Sequence, residues 1–180
     1  MHGTSVTAGR TTADTEGDVA VLLIGMRINR FRAVRHWLPV FLAMPRMLRE
    51  LAADPDSGLL GHVLLMGSPR VLYLVQYWES GEKLRAYAHA PGLTHHPAWT
   101  DFNRRRRQAA GRGHVGLWHE TYLVPEGSHE SVYVDMPPFG LAAAHGQVPV
   151  ERRGRSAAER LAHRAPRRTA PGAGASPAEG

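Results

Sequence analysis

Alternating apolar and polar positions pick out five extended segments and two helical ones. Val19–Asn29 (VAVLLIGMRIN) begins as an unbroken run of Val, Leu and Ile, the mark of a buried strand. It ends by alternating Met26 and Ile28 against Arg27 and Asn29. Trp37, Val40, Phe41, Met44, Leu48 and Leu51 then recur at helical spacing. Pro39 suits the first turn of that helix, and Pro45 is expected to kink it or split it in two. The turn Asp54–Gly58 leads to a strand over Leu59–Met66, and Gly67–Arg70 links it to Val71–Trp78, an alternating run rich in aromatic and β-branched residues.

That third strand runs almost directly into a second helix. Ser80 can cap it, Glu82 complements its first turn, and Leu84, Tyr87 and Ala88 form its apolar face. Pro91-Gly92 interrupts the helix, and spacing resumes around His95–Arg107 through Trp99, Phe102 and Asn103. Gly111–Gly113 breaks the chain before a fourth strand, His114–Val124, in which His119 and Glu120 point to opposite faces. Ser131–Asp135 is a short fifth extended piece. In Met136–Leu141 two prolines forbid regular structure and suggest an extended cover.

The order β-α-β-β-α-β with a late strand is the ferredoxin-like pattern of an α+β protein. Its antiparallel sheet carries both helices on one face and leaves the other to be buried against a second subunit, which makes a homodimer the expectation. Residues 1–18 lack apolar periodicity and read as a disordered leader. The domain spans 19–145, and 146–180 reads as a disordered basic tail with a short helix near Ser156–Ala165.

Composition narrows the chemistry. The chain has no cysteine, which excludes disulfides, thiolate metal sites and cysteine nucleophiles. The net charge of +6 comes mostly from the arginine-rich tail, and Arg104–Arg107 suits a helix end, so no nucleic-acid partner is expected. Neither a signal-peptide pattern nor a membrane-length apolar run is present, so a cytoplasmic protein without a membrane partner is expected. His89, His95 and His96 match no zinc or iron spacing, and no metal is expected.

Five stretches carry a resemblance: Trp37–Met47, Gln76–Ser80 with Tyr87-Ala88, His95–Trp99, Trp118–Tyr122 and Met136–Leu141. Together they resemble a bacterial and fungal family of monooxygenase-like proteins, kept under a domain-of-unknown-function label within the dimeric α+β barrel superfamily. Its fungal relatives include a monooxygenase of terpenoid (fumagillin) biosynthesis. The resemblance implies a cofactor-independent monooxygenase acting with O2 on a small apolar metabolite, in a pocket between sheet and helices. In such enzymes the substrate is deprotonated and its carbanion reacts with O2. It nominates His95, His119, Trp78 and Asn29 for catalysis, and Trp37, Phe41, Met44, Gln76, Tyr87, Trp99 and Phe139 for substrate binding.

Two alternatives stand beside this reading. Haem-degrading members of the superfamily use an Asn, a Trp and a His. Asn29, Trp78 and His89 or His95, if they meet at one end of the sheet, suggest a haem protein with an axial ligand from the second helix. The other alternative is a non-catalytic dimeric ligand-binding module. The aromatic and methionine stripe of the first helix is more often the composition of a core than of a ligand box, although Met and Phe also line adaptable pockets.

Overall fold

The computed structural model describes residues 5–90, 100, 102–104, 107 and 113–163. A four-stranded antiparallel sheet, in the order β3-β4-β2-β5, is built from β2 (Val19–Ile28), β3 (Leu59–Ser68), β4 (Val71–Trp78) and β5 (Val115–Val124). Helix α1 (Val34–Ala53) follows β2, and α2 (Gly81–His89) follows β4. Thr100, Phe102–Arg104 and Arg107 are also helical. This is the ferredoxin-like α+β arrangement expected from the periodicity.

Continuous pairing fixes which side chains share a face. Ala20 lies opposite Trp78, Leu22 opposite Gln76, Ile24 opposite Leu74 and Met26 opposite Leu72. Trp78 and Ala20 pack with Leu51 of α1 and Leu84 of α2, so this set is the helix-covered face. On β5 it continues through Leu117, His119, Thr121 and Leu123, and on β3 through His62, Leu64 and Met66. The opposite face carries Leu23, Gly25, Tyr73, Val75, Tyr77 and Trp118.

Helix α1 differs from expectation at both prolines. It begins at Val34, so Pro39 lies beyond the first turn, and it continues as one helix past Pro45 to Ala53. Pro45 is exposed, so water can satisfy the carbonyl left without its amide partner. Of the apolar stripe only Leu51 is fully buried. Trp37, Val40 and Met44 are half-buried, and Phe41 is exposed. Helix α2 starts as expected, with the Ser80 hydroxyl accepting from the Lys83 amide at 3.1 Å.

The stretches expected to be disordered are corrected over their described residues. Thr7–Ala13 forms β1, the central strand of a second sheet ordered β6-β1-β7, with β6 at Tyr133–Met136 and β7 at Gln147–Pro149. Polar strands escape an apolar-period search, yet Thr11, Thr12 and Ala13 are buried. The Thr12 hydroxyl donates to the Ser131 carbonyl oxygen at 2.7 Å, which satisfies it in that setting. The tail helix exists at Ala157–Ala162, capped by Ser156.

Two arginines tie this tail to the body. Arg160 is 8% exposed and meets Glu130 at 2.7 Å, and it also donates to the Gly154 and Arg155 carbonyl oxygens. Arg153 contacts Asp14 through both Nε and Nη2. Removing Arg160 leaves Glu130 and two carbonyls without that partner. Arg160→Ala is expected to loosen the tail, costing about 1–3 kcal/mol through those orphaned groups. Limited proteolysis checks this: cleavage between Arg153 and His163 should accelerate while the 19–124 region stays intact. An unchanged cleavage pattern would contradict it.

Met136–Leu141 does act as a cover. Gly140 has φ +58°, and a Cβ there would lie 3.1 Å from the Tyr77 hydroxyl. Beyond it the short helix Leu141–His145 brings Ala144 within 3.3 Å of the place a Gly61 Cβ would occupy. The segment therefore closes one corner of the sheet face opposite the helices.

Candidate functional site

On the helix-covered face, polar residues interrupt an apolar surface in one row and beside it. The row across the sheet is His62, Gln76, Leu22 and Thr121, and His119 stands in the next row beside Ile24. The neighbouring Met26 and Leu74 are almost wholly buried. His62 sits directly opposite Gln76, where paired side chains approach within about 5 Å at Cβ.

Trp78 and Gln76 form a unit. Trp78 is 0% exposed, and its indole Nε1 donates to Gln76 Oε1 at 3.2 Å. The Tyr87 ring packs on the indole at 5.4 Å between centroids. Burial, with the Glu50 charge adding to it, pushes the Tyr87 phenol up to about 12. Tyr87 is therefore a neutral wall of the site at ordinary pH.

His62 was missed in the sequence. The signal was present, since Gly61-His62-Val63-Leu64 sets a histidine in phase with apolar neighbours on an alternating strand. β3 is an edge strand, so His62 keeps contact with solvent, while partial burial still lowers its ring below the ordinary value of 6.5. His145, behind the small sheet, is lowered too, by burial first and then by His129. A histidine whose folded pKa is depressed binds its proton more readily when the chain is unfolded. Its contribution to stability is complete above pH 6.5 and is lost as pH falls from there through the folded value. The thermal midpoint is therefore expected to drop between pH 7 and pH 5, and His145→Gln should flatten that fall. A midpoint independent of pH over this window would contradict it.

The described members of the nominated catalytic set, Asn29, Trp78 and His119, lie apart. Trp78 pairs with Ala20 near the start of β2, whereas Asn29 follows the end of that strand. Nine residues of extended chain place them about 30 Å apart. Asn29 is held at its own end of the sheet, donating to the Gly113 carbonyl oxygen at 2.9 Å and accepting from Arg27. His89 is exposed, and its Nδ1 lies 2.8 Å from the Arg85 carbonyl oxygen. His95 and Trp99 lie outside the described residues. His119 does face the helices, which resolves the parity left open in the sequence, and it is exposed at the β5 edge. His62 and His119 are separated by three inter-strand spacings, about 14 Å, so they cannot serve one reacting atom.

Among the nominated binding residues, Gln76 and Tyr87 are at this site, and Trp37 and Met44 stand half-buried on α1. The Trp37 indole donates to the Phe31 carbonyl oxygen at 2.9 Å. Phe41, on the same helix, is exposed. Phe139 belongs elsewhere: it precedes Gly140, which rests on Tyr77 on the opposite face of the sheet. No group of three or more His, Asp or Glu among the described residues could hold a metal ion. No described helix is long and apolar enough to cross a membrane.

Three comparisons place this geometry among known proteins. Monooxygenase af470 of Aspergillus fumigatus is 30% identical over 169 residues, which is 82% of this chain and 58% of that protein. The chain thus spans little more than half the length of this relative. Among solved structures, aldoxime dehydratase OxdRE in complex with butyraldoxime superposes with a TM-score of 0.60 at 18% identity, over 81% of this chain and 41% of that one. SnoaB, a cofactor-independent oxygenase from Streptomyces nogalater, is 16% identical with a TM-score of 0.37, over 58% of this chain and 91% of its own. Residues 19–141 match the model of the monooxygenase af470-like family, a span that takes in the whole four-stranded sheet, both helices and the cover at Gly140; the chain belongs to that family.

Proposed function

We propose that this chain is a monooxygenase that works without a bound cofactor on a small, apolar, oxidisable metabolite, held between the sheet and the helices of each subunit of a homodimer. One observation carries the reading: a buried amide, Gln76, sits directly opposite His62, an edge-strand histidine that keeps contact with solvent and whose ring is lowered by partial burial, on an apolar sheet face. Family membership supplies the reaction class. An apolar site with a neutral imidazole suits removal of a proton from an acidified C–H, with the amide stabilising the resulting anion. The substrate's own electrons then reduce O2. A CH2 becomes C=O, one oxygen atom enters the product and the other leaves as water.

Oxygen uptake with phenolic and terpenoid substrates, read with 18O2, tests this. One labelled atom should enter the product. His62→Ala should reduce turnover at least tenfold, while His119→Ala, about 14 Å away, should leave most of it. Flat oxygen traces with intact ligand binding would instead favour the binding-module reading. The haem alternative rested on Asn29, Trp78 and a histidine meeting at one place, and the register separates the first two. A hemin titration tests it directly: a saturable Soret shift lost in His89→Ala or His95→Ala would restore it.

Dimerisation is proposed from the sheet face opposite the helices, where Leu23, Tyr73, Val75 and Trp118 are half-buried and only the corner at Tyr77 is covered. Light scattering on the purified protein should give twice the chain mass of 19.8 kDa. A monomer would overturn it.

A further inference from the structure

Helix α1 carries an apolar stripe on the side turned away from the core. Val34, Leu38, Phe41, Leu42 and Pro45 fall within about 100° of one another around its axis and run about 17 Å along it. All five are exposed, Val34 at 45% and Leu42 at 44%, whereas Leu51 on the other side is buried. The outward face of such a helix is ordinarily polar, and a contiguous exposed apolar strip marks a place where something docks. The charges beside the stripe are arginines. Arg35 and Arg46 flank one edge, Arg49 follows the last apolar turn, and Arg30 and Arg32 stand exposed in the turn that enters the helix. The one carboxylate of α1, Glu50, is half-buried and its charge acts on Tyr87.

We propose that the outer face of α1 docks on an anionic lipid bilayer: the helix lies flat, with its stripe in the acyl boundary and its arginines on headgroup phosphates. Charge and shape choose this occupant. Arginine stems can lie along apolar surface while their guanidiniums reach phosphate oxygens, which they meet as a fork. A second copy of the stripe is a poor match, because Arg35, Arg46 and Arg49 would face the same three charges. A folded protein partner reads polar groups at an interface, and the stripe itself offers none. The expectation of no membrane partner rests on the length of apolar runs, which excludes a helix crossing a bilayer and not one resting on it. The sheet face proposed for pairing is the one without helices, so a dimer leaves the stripe of each subunit exposed. The proposal needs no oxygen chemistry, and it sets a site for an apolar metabolite beside the phase in which such molecules collect.

Flotation of the full chain with vesicles of phosphatidylcholine, alone or with about 30 mol% phosphatidylserine, tests this. Wild type should bind the anionic vesicles about tenfold more tightly, and about 0.5 M salt should remove most of that preference. The arginine-rich segment 151–180 adds its own attraction to an anionic surface, so substitutions must read the stripe. Leu38→Ser combined with Leu42→Ser changes exposed positions only, and should cut binding about tenfold with an unaltered circular dichroism spectrum. Arg35→Gln with Arg46→Gln should remove much of the anionic preference and leave binding to phosphatidylcholine as it was. The chain has no cysteine, so Leu42→Cys takes a single environment-sensitive fluorophore. Its emission should shift to the blue on the anionic vesicles, while the same label at Ser128→Cys, on the exposed turn between β5 and β6, should not. Absent flotation, binding undiminished by the paired serines, or a Leu42 label that stays silent would each overturn the proposal. A mass above the dimer that the paired serines abolish would overturn it too, and would give the stripe to a second copy.

Discussion

Trp78→Ala is expected to lower the free energy of unfolding by about 3–5 kcal/mol. The indole is 0% exposed and joins three elements: it stands on β4, meets Leu51 of α1 and Leu84 of α2, and carries the Tyr87 ring on its face. Truncation opens a cavity at the point where both helices are fastened to the sheet. It also leaves Gln76 Oε1 without its donor in a buried setting, which adds about 1–3 kcal/mol when no water can enter. Urea unfolding followed by circular dichroism should show a much lower midpoint with little change in slope. A midpoint within a few tenths of wild type would show that Trp78 is a surface-layer residue and would remove the anchor of the site as well.

Gly25→Ala is expected to cost about 1–3 kcal/mol, with a larger loss for Gly25→Val. Gly25 lies mid-strand in β2 between Tyr73 and Trp118, whose rings lean over it with centroids 5.9 Å apart. A Cβ at this position would come within 2.7 Å of both the Tyr73 Cβ and the Trp118 Nε1. The tyrosine atom is fixed to its backbone and cannot swing aside, so the strands must part or the indole must leave. If the indole moves, the loss appears in assembly too, since Trp118 is on the face proposed to meet a second subunit. Chemical denaturation and light scattering on the same sample separate the two effects. An alanine variant as stable as wild type, with the same light-scattering mass, would contradict the crowding.

Much of the main sheet was legible because its strands alternate and its helices repeat. Val71–Trp78 and the Ser80 cap coincide with β4 and the start of α2. Face assignment was less legible. Residue parity divides His119 from Glu120, but only the packing of Leu51 and Leu84 against Ala20 and Trp78 reveals which parity is covered. Position along strands was lost altogether. Asn29 and Trp78 each sit at a strand end, and antiparallel pairing sends those two ends to opposite sides of the sheet. The small sheet was invisible because Thr7–Ala13 (TAGRTTA) and Gln147–Pro149 (QVP) carry almost no apolar signal. Their burial comes from long-range pairing and threonine hydrogen bonds, which no local pattern records.

The pairing of Thr7 with Met136 and of Thr11 with Pro149 has a consequence for how the molecule comes into being. During synthesis the segment at Thr7–Ala13 emerges long before either of its neighbours exists. The four-stranded sheet, complete once Val124 is free, can collapse while that early segment still waits. Closing a loop of this length is slow compared with forming local helices and hairpins. The small sheet is therefore expected to form last, and the Gly140 cover, which lies between β6 and β7 in the chain, is expected to arrive with it. If two copies pair through that face as proposed, they would meet while that corner of the sheet is still bare, so pairing between chains and closure of the corner would compete in time.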